Sequence, residues 1–243
     1  MTDVITALNG DPHDPDKVHV FVDGRHALVV SLDVAASERL VVGQPCPPGR
    51  LERIYAAEQQ QQVYELALNF LSYRPRSVRE VEQRLRKKGF QPSQIESAVE
   101  RLSKHGYVND REFARFWINN RQTFSPRGPR LLRSELRQKG VPSEIVEEIL
   151  AEHKEEQSEQ AQQAAEVAAI YDIQDDEPAP GSDEATALGL ARKRIRLLSN
   201  LDPLTRKRRL SGFLARRGYD YPTIDSVLRR VLTGDESDQS FEE

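Results

Sequence analysis

The chain has 243 residues, of which 37% are hydrophobic and 30% are charged, with a single Trp, Met and Cys. So few apolar residues argue against one deep core, and therefore against a large compact enzyme, and they favour thin layers of helices. The single cysteine excludes an intramolecular disulfide, and we see neither a signal peptide nor an apolar run of about 18 residues. We therefore expect a cytoplasmic protein without a membrane span.

The net charge of −4 hides a strong division of charge along the chain. Two basic blocks, residues 74–140 and 187–232, carry net charges of +10 and +9. An acidic block between them, residues 141–186, carries −13, and residues 1–73 and 233–243 each carry −5. Separate basic blocks favour a polyanionic partner such as nucleic acid, although solvated helix faces would give the same counts.

The N-terminal segment has the pattern of a small antiparallel sheet. Two β-branched runs in residues 18–32 flank Asp23-Gly24. This pair favours a two-residue type I′ hairpin turn, because both central residues of that turn need positive φ. We predict a three-stranded sheet, to which residues 4–8 add a strand, followed by a short helix at 32–40 and a Pro/Gly-rich connector at 41–49.

From Leu51 onward the apolar period is helical, and one pattern occurs three times. In each copy a helix ends in basic residues and a glycine suited to the left-handed C′ position, and a further amphipathic helix follows. The glycines are Gly89, Gly140 and Gly218, at spacings of 51 and 78 residues. The sequence therefore predicts three copies of a three-helix unit, with the extra residues of the longer spacing in an acidic insertion.

We predict a mainly α protein whose three tandem three-helix repeats follow a small N-terminal antiparallel β-sheet. The predicted divisions are a sheet domain (1–49), repeats one and two (50–105 and 106–153), an acidic helix extension with a flexible linker (154–186), repeat three (187–232) and a disordered acidic tail (233–243).

Three stretches together resemble the RecX regulatory family. They read ALNFLSYRPRSVREVEQRLRKKGF, GYVNDREFARFWI and SPRGPRLLRSELRQKGV. The resemblance is strongest over residues 63–150 and weaker in the hairpin region and the third repeat. The chain departs from the family pattern in its acidic insertion. It also has the basic cluster Arg206-Lys207-Arg208-Arg209 where the third repeat would have a serine capping box.

The resemblance implies an elongated, curved array of three-helix modules that binds the RecA filament and inhibits strand exchange and ATP hydrolysis. It thereby implies a bacterial regulator of DNA repair, recombination and the SOS response. The implied partner is RecA in its filament form, with DNA inside the filament, and the implied regulator is a monomer, not an enzyme, that needs no cofactor. A helical-repeat protein that binds nucleic acid directly, without RecA, is the alternative.

Arginine dominates the basic blocks, with 13 Arg against 4 Lys in residues 74–140. The planar guanidinium suits phosphate and carboxylate groups, and it loses less hydration energy at interfaces than an ammonium does. The predicted RecA- or DNA-binding residues are Arg74, Arg76, Arg127, Arg130, Arg133, Arg137, Arg206, Lys207, Arg208, Arg209, Arg216 and Arg217.

Two groups of arginines are expected to behave differently. Arg127, Arg130, Arg133 and Arg137 are spaced to form one helical stripe, which only Glu135 offsets within the helix, opposite a buried face that contains Leu132 and Leu136. Replacing these arginines is expected to leave the core intact. In contrast, Arg79, Arg84 and Arg86 are expected to pair with Glu80 and Glu82 on a solvated face.

The sequence offers no catalytic motif. It contains no phosphate-binding P-loop and no H-x-x-x-H or H-E-x-x-H group, and Cys46 lies between two prolines without an evident base. His19 and His26 could approach each other across the hairpin, but ordinary surface histidines are the expected outcome, and no metal site is predicted. We likewise expect Trp117 and Phe113 to be core residues, not platforms for stacked bases.

Overall fold

The computed structural model describes residues 3–170, 177–179 and 181–238. Within these, the chain forms a small sheet followed mainly by helices, and it divides into two compact units, Met1–Val108 and Asn109–Glu243. No helix in the described part of the chain is long and apolar enough to cross a membrane. Four separate buried clusters, one under the sheet and one in each three-helix group, replace a single core.

The sheet of the first unit is antiparallel, with the order β3-β2-β1-β4. Its strands are β1 (Asp3–Gly10), β2 (Lys17–Val22), β3 (Arg25–Ser31) and β4 (Pro45–Cys46). The predicted hairpin turn is confirmed, since Asp23 and Gly24 have φ of 48° and 74°. The fourth strand was not predicted, because a two-residue edge strand beginning with proline has no periodicity to detect.

Three helices follow a short helix α1 (Leu32–Ser37): α2 (Arg50–Leu71), α3 (Val78–Lys87) and α4 (Pro92–Lys104). Helix α2 serves two cores. Ile54, near its start, is buried with the sheet residues, whereas Val63 and Ala67 are buried with α3 and α4. Ser77 caps α3 by accepting a hydrogen bond from the backbone N–H of Glu80 at 3.2 Å, as the serine of a capping box does.

The second unit holds two further three-helix groups. The first consists of α5 (Asp110–Phe124), α6 (Pro129–Gln138) and α7 (Ser143–Ile170). The second consists of α8 (Asp183–Ile195), a short 3₁₀ turn, α9 (Pro203–Arg216) and α10 (Tyr221–Asp238). The predicted left-handed glycines are confirmed, with φ of 89° at Gly89, 86° at Gly140 and 92° at Gly218.

Gly128, at the start of α6, lies directly against Gly218, in the turn between α9 and α10. The Gly128 N–H donates to the Arg217 carbonyl at 2.8 Å, and the Arg130 N–H donates to the Gly218 carbonyl at 3.3 Å. A Cβ on Gly128 would stand 2.5 Å from backbone atoms of Gly218. The two backbones can therefore meet only because both positions are glycine.

Only part of the acidic insertion is described. Helix α7 continues unbroken to Ile170, in keeping with its Glu, Gln and Ala content. Of the predicted linker, residues 171–176 and 180 lie outside the described residues, whereas Glu177 pairs with Arg192 of α8. Residues 239–243 of the predicted tail lie outside the described residues as well.

Candidate binding surface

The predicted basic residues occupy three places: the loop before α3, the segment around α6, and α9. Helix α6 begins at Pro129 with Gly128 as its N-cap, so Arg127 precedes the helix. The prediction that Arg127 belongs to the helical stripe is therefore wrong. Arg130, Arg133 and Arg137 do lie in α6, whose Leu132 and Leu136 are buried as expected. The stripe is thus three helical arginines with a fourth in the adjoining loop.

Glu147 of α7 neutralises much of this stripe. Its carboxylate accepts hydrogen bonds from Arg133 at 2.8, 2.9 and 3.0 Å and from Arg137 at 2.9 Å. The hydrogen bonds from Arg133 lower the pKa of Glu147. Glu135 is the one acidic residue within α6, but Arg133 and Arg137 are offset by an acid of the next helix, which the sequence of α6 does not reveal.

Glu135 has a different set of partners. It accepts hydrogen bonds from the Trp117 indole N–H at 2.9 Å and from Arg121 Nε at 2.8 Å, and Arg127 Nε lies 3.8 Å from its other oxygen. Arg121 and Lys139 also stand over the Trp117 ring, at 4.4 and 4.9 Å from its centroid. Trp117 therefore ties α5 to α6, and Phe113 is a core residue as predicted.

Arg130 is the member of the stripe that remains available. Its side chain is exposed, and it makes no ion pair or side-chain hydrogen bond with any residue that the structure describes. It lies at the rim of a cleft of about 570 Å³ that is lined by both acidic and basic side chains, among them Lys154 and Asp183.

The same cleft contains a half-buried acid, Asp183, that the sequence analysis missed. Burial raises the pKa of Asp183, and one of its carboxylate oxygens has no hydrogen-bond partner within the described structure. The Tyr219 hydroxyl, also buried and without a partner there, has its pKa raised by burial too. Both residues lie where the second and third helix groups meet, and no local sequence signal reveals such a junction.

In the first unit, the pairing around α3 differs from expectation. Arg74 forms a two-pronged pair with Glu80, at 3.1 and 3.2 Å, and Arg76 stacks over the Phe70 ring at 4.1 Å from its centroid. Arg86 does pair with Glu82, at 3.2 Å. Glu80 is thus committed to Arg74, a binding candidate, and not to the arginines of α3.

Helix α9 presents a different picture. Arg206 folds back onto the carbonyls of Ser199 and Leu201, and Arg217 donates to the Pro126 carbonyl at 3.3 Å. The remaining candidates are exposed and have no acidic partner among the described residues. They are Lys207, Arg208, Arg209 and Arg216. Three of them, Arg208, Arg209 and Arg216, project from the side of α9 opposite buried Leu210 and Leu214.

The described residues contain no group of three or more metal-ligating side chains. His19 and His26 do approach across the hairpin, with ring nitrogens 3.0 Å apart, and the other ring nitrogen of His19 lies 2.9 Å from Asp11. Cys46 is buried, and burial raises the pKa of its thiol. An unreactive thiol is consistent with this environment.

Known proteins resemble this chain over most of its length. Family models described as the first, second and third three-helix domains of RecX match residues 64–102, 109–150 and 182–228. The Regulatory protein RecX of Amycolatopsis mediterranei is 35% identical over 186 residues, which are 76% of this chain and 90% of that protein. The protein of the same name from Bacillus pumilus is 26% identical over 238 residues, or 98% of this chain and 81% of that protein.

A further sequence match covers a shorter part of the chain, and two solved structures show similarity of the fold alone. The Regulatory protein RecX of Lactobacillus johnsonii is 37% identical over 141 residues, 58% of this chain, and the match spans about half of that relative, 52%. A crystal structure of regulatory protein RecX superposes with a TM-score of 0.73 at 19% identity, covering 93% of this chain and 98% of that one. The crystal structure of RecX from Lactobacillus salivarius gives a TM-score of 0.57 at 21% identity, over 72% and 97%.

Proposed function

The chain belongs to the RecX family of regulatory proteins, and on that premise we propose that it binds RecA–DNA filaments and restrains RecA-driven strand exchange and ATP hydrolysis. It acts as a cytoplasmic monomer in the regulation of DNA repair and recombination. The relatives carry the name of a regulatory protein, and RecA binding by this chain is our proposal.

One observation supports the proposal above others: α9 exposes Lys207, Arg208, Arg209 and Arg216 without acidic partners in the described part of the chain. Cations without an acidic partner can bind an external anion directly. Cations paired within the fold must first break a hydrogen-bonded ion pair with a carboxylate. A RecA–DNA filament offers acidic side chains and DNA phosphates together, and either can receive these residues.

Direct nucleic-acid binding without RecA is the second candidate, because the same exposed cations would neutralise phosphates. The two functions differ in their dependence on salt. Binding through phosphates alone weakens steeply as salt rises, since each contact releases a condensed counterion. Binding to a protein filament adds contacts that release no condensed counterions, so the affinity falls less steeply with salt.

The deciding experiment is co-sedimentation with RecA filaments formed on single-stranded DNA, with the same DNA lacking RecA as the control, over a range of salt concentrations. The proposal predicts RecA-dependent pelleting that persists at salt concentrations at which bare DNA no longer retains the protein. Equal retention on bare DNA and on filaments at every salt concentration would favour the second candidate.

A further inference from the structure

The first two helix groups present the same short loop. Between α2 and α3 the chain reads Tyr73-Arg74-Pro75-Arg76-Ser77, and from the last residue of α5 to the residue before α6 it reads Phe124-Ser125-Pro126-Arg127-Gly128. Each has an aromatic residue, then a proline and an arginine at fixed spacing, and ends on the N-cap residue of the next helix. We call these the first and second aromatic loops.

The aromatic residue of each loop is largely exposed. Tyr73 is 80% exposed and Phe124 is 78% exposed. Neither ring stacks on another aromatic ring or on a cation of the described structure. Singly exposed apolar side chains are common on protein surfaces, but an aromatic ring exposed at the same position of two repeats points to an interaction site.

The loops also hold their rings in a defined place. Proline fixes the backbone between the aromatic residue and the arginine in both loops. Arg76 then lies over Phe70, and Arg127 lies near Glu135, so the arginine of each loop contacts its own helix group. A ring presented by such a fixed loop loses little conformational entropy when it binds.

The surrounding charges favour a protein partner over a nucleic-acid strand. In the first loop Arg74 is engaged by Glu80, and in the second loop Arg127 lies 3.8 Å from Glu135. The arginines of both loops therefore already have partners within the fold, Arg76 in the Phe70 ring and the other two in nearby carboxylates, which suits an apolar pocket with a polar rim. A single-stranded nucleic acid would instead require free cations along the path of its phosphates.

The third helix group lacks this loop. The segment that ends on the N-cap residue of α9 reads Leu198-Ser199-Asn200-Leu201-Asp202, with no aromatic residue, proline or arginine. The basic cluster of α9 occurs in that same group. The aromatic loops and the exposed cations are thus divided between different repeats.

We propose that the two aromatic loops are equivalent docking elements, each of which inserts its ring into an apolar pocket on one of two identical subunits of the filament. The inference rests on the proposed function, and it names the protein side of the filament as the partner of these loops. Two copies of one element in one chain match a partner that repeats, because the second contact then forms at high effective concentration.

The test measures affinity for RecA filaments on single-stranded DNA, and for the bare DNA, with Tyr73→Ala, Phe124→Ala and the double variant. Each single variant should weaken filament binding about tenfold, and the double variant about a hundredfold, as expected for loss of aromatic anchors. The melting temperature and bare-DNA binding should not change. Tyr107→Ala with Tyr221→Ala is the matched control, since these rings are 56% and 77% exposed and lie outside the loops.

Filament binding by the double variant equal to that of the wild type would overturn the inference and leave the proposed function standing. A parallel loss of bare-DNA binding would also overturn it, because the rings would then contact nucleic acid. Failure of the wild-type chain to bind filaments at all would instead overturn the proposed function, and the inference with it.

Discussion

Helices α6 and α9 are both rich in arginine, yet they hold their charges differently. In α6, two of the three helical arginines are bound to Glu147 of the neighbouring helix. In α9, Arg208 and Arg209 are exposed, with no described acid beside them. The difference shows that the number of cations in a helix does not measure the charge available to a partner. That available charge depends on whether acidic residues of neighbouring helices pair with the cations.

The largest effect on filament binding is expected from substitutions in α9. Replacing Lys207, Arg208, Arg209 and Arg216 with Glu should weaken filament binding by about a hundredfold or more, since each charge-assisted hydrogen bond is worth roughly 1.5–3 kcal/mol. The melting temperature should change little, because these side chains are exposed. The matched variant Arg133→Gln with Arg137→Gln should weaken binding much less. A larger loss of binding in the α6 variant would reverse the assignment.

The glycine contact between the start of α6 and the turn after α9 offers a second test. Gly128→Ala should destabilise the second unit by about 2 kcal/mol, within the usual range for overpacking, because its Cβ would lie 2.5 Å from Gly218. Thermal unfolding measures the effect. Gly189→Ala is the control, since no atom lies near its Cβ position. Equal stability of the two variants would mean that the contact can relax without cost.

A third test reverses the charge of the two α6 arginines that pair with Glu147. Arg133→Glu with Arg137→Glu would place two carboxylates beside Glu147, and we expect a loss of about 1 kcal/mol of stability, because the pair is largely solvent-exposed. The core around Leu132 and Leu136 is still expected to stay intact. Adding Glu147→Lys should restore the stability, and without that rescue the carboxylate would not be the cause.

The pH dependence of this variant follows from the lowered pKa of Glu147. A lowered carboxylate pKa contributes stability at pH values above the pKa of the unfolded chain, and that contribution disappears as pH falls through the folded-state pKa. The stability difference between the wild type and the charge-reversed variant should therefore shrink in acid. Urea unfolding at pH 7 and near pH 3.5 would show it.

The smallest effect is expected in the cleft where these helix groups meet. Burial raises the pKa of Asp183, so protonation of this residue favours the folded state, and that stabilising contribution is lost as pH rises through the folded-state pKa. Asp183→Asn should thus stabilise the protein near neutral pH by about 1 kcal/mol at most, with no gain in acid. A variant less stable than the wild type at pH 7 would show that the charged form is the favoured one.

Local signals predicted much of this fold. The Asp-Gly hairpin, the serine cap of α3 and the three left-handed glycines all have causes within a few residues, and each is confirmed. The RecX resemblance is confirmed as well. The exact bounds of the sheet domain, repeats, linker and tail stay predictions.

The candidate surface could be predicted only in part. The basic positions could be predicted from the sequence, but their acidic partners could not. Glu147 pairs with arginines of a neighbouring helix, and Glu80 pairs with an arginine in the preceding loop. Arg127 was misplaced since a Gly-Pro helix start was read as helix interior. In each case the deciding feature, an acidic partner or the start of a helix, depends on residues outside the periodic helical segment.

Helix α2 has a consequence for the order in which the chain becomes structured during synthesis. Ile54 completes the core of the sheet, and Glu58 accepts a hydrogen bond from the backbone N–H of Ser31 at 2.8 Å. The sheet strands leave the ribosome before either residue, so the sheet must wait for the first turns of α2 before it can close. By then the helix that begins the first repeat is already forming on it. The sheet and the first turns of α2 should therefore become protease-resistant together, before α3 and α4 complete the first repeat, in a series of stalled nascent chains.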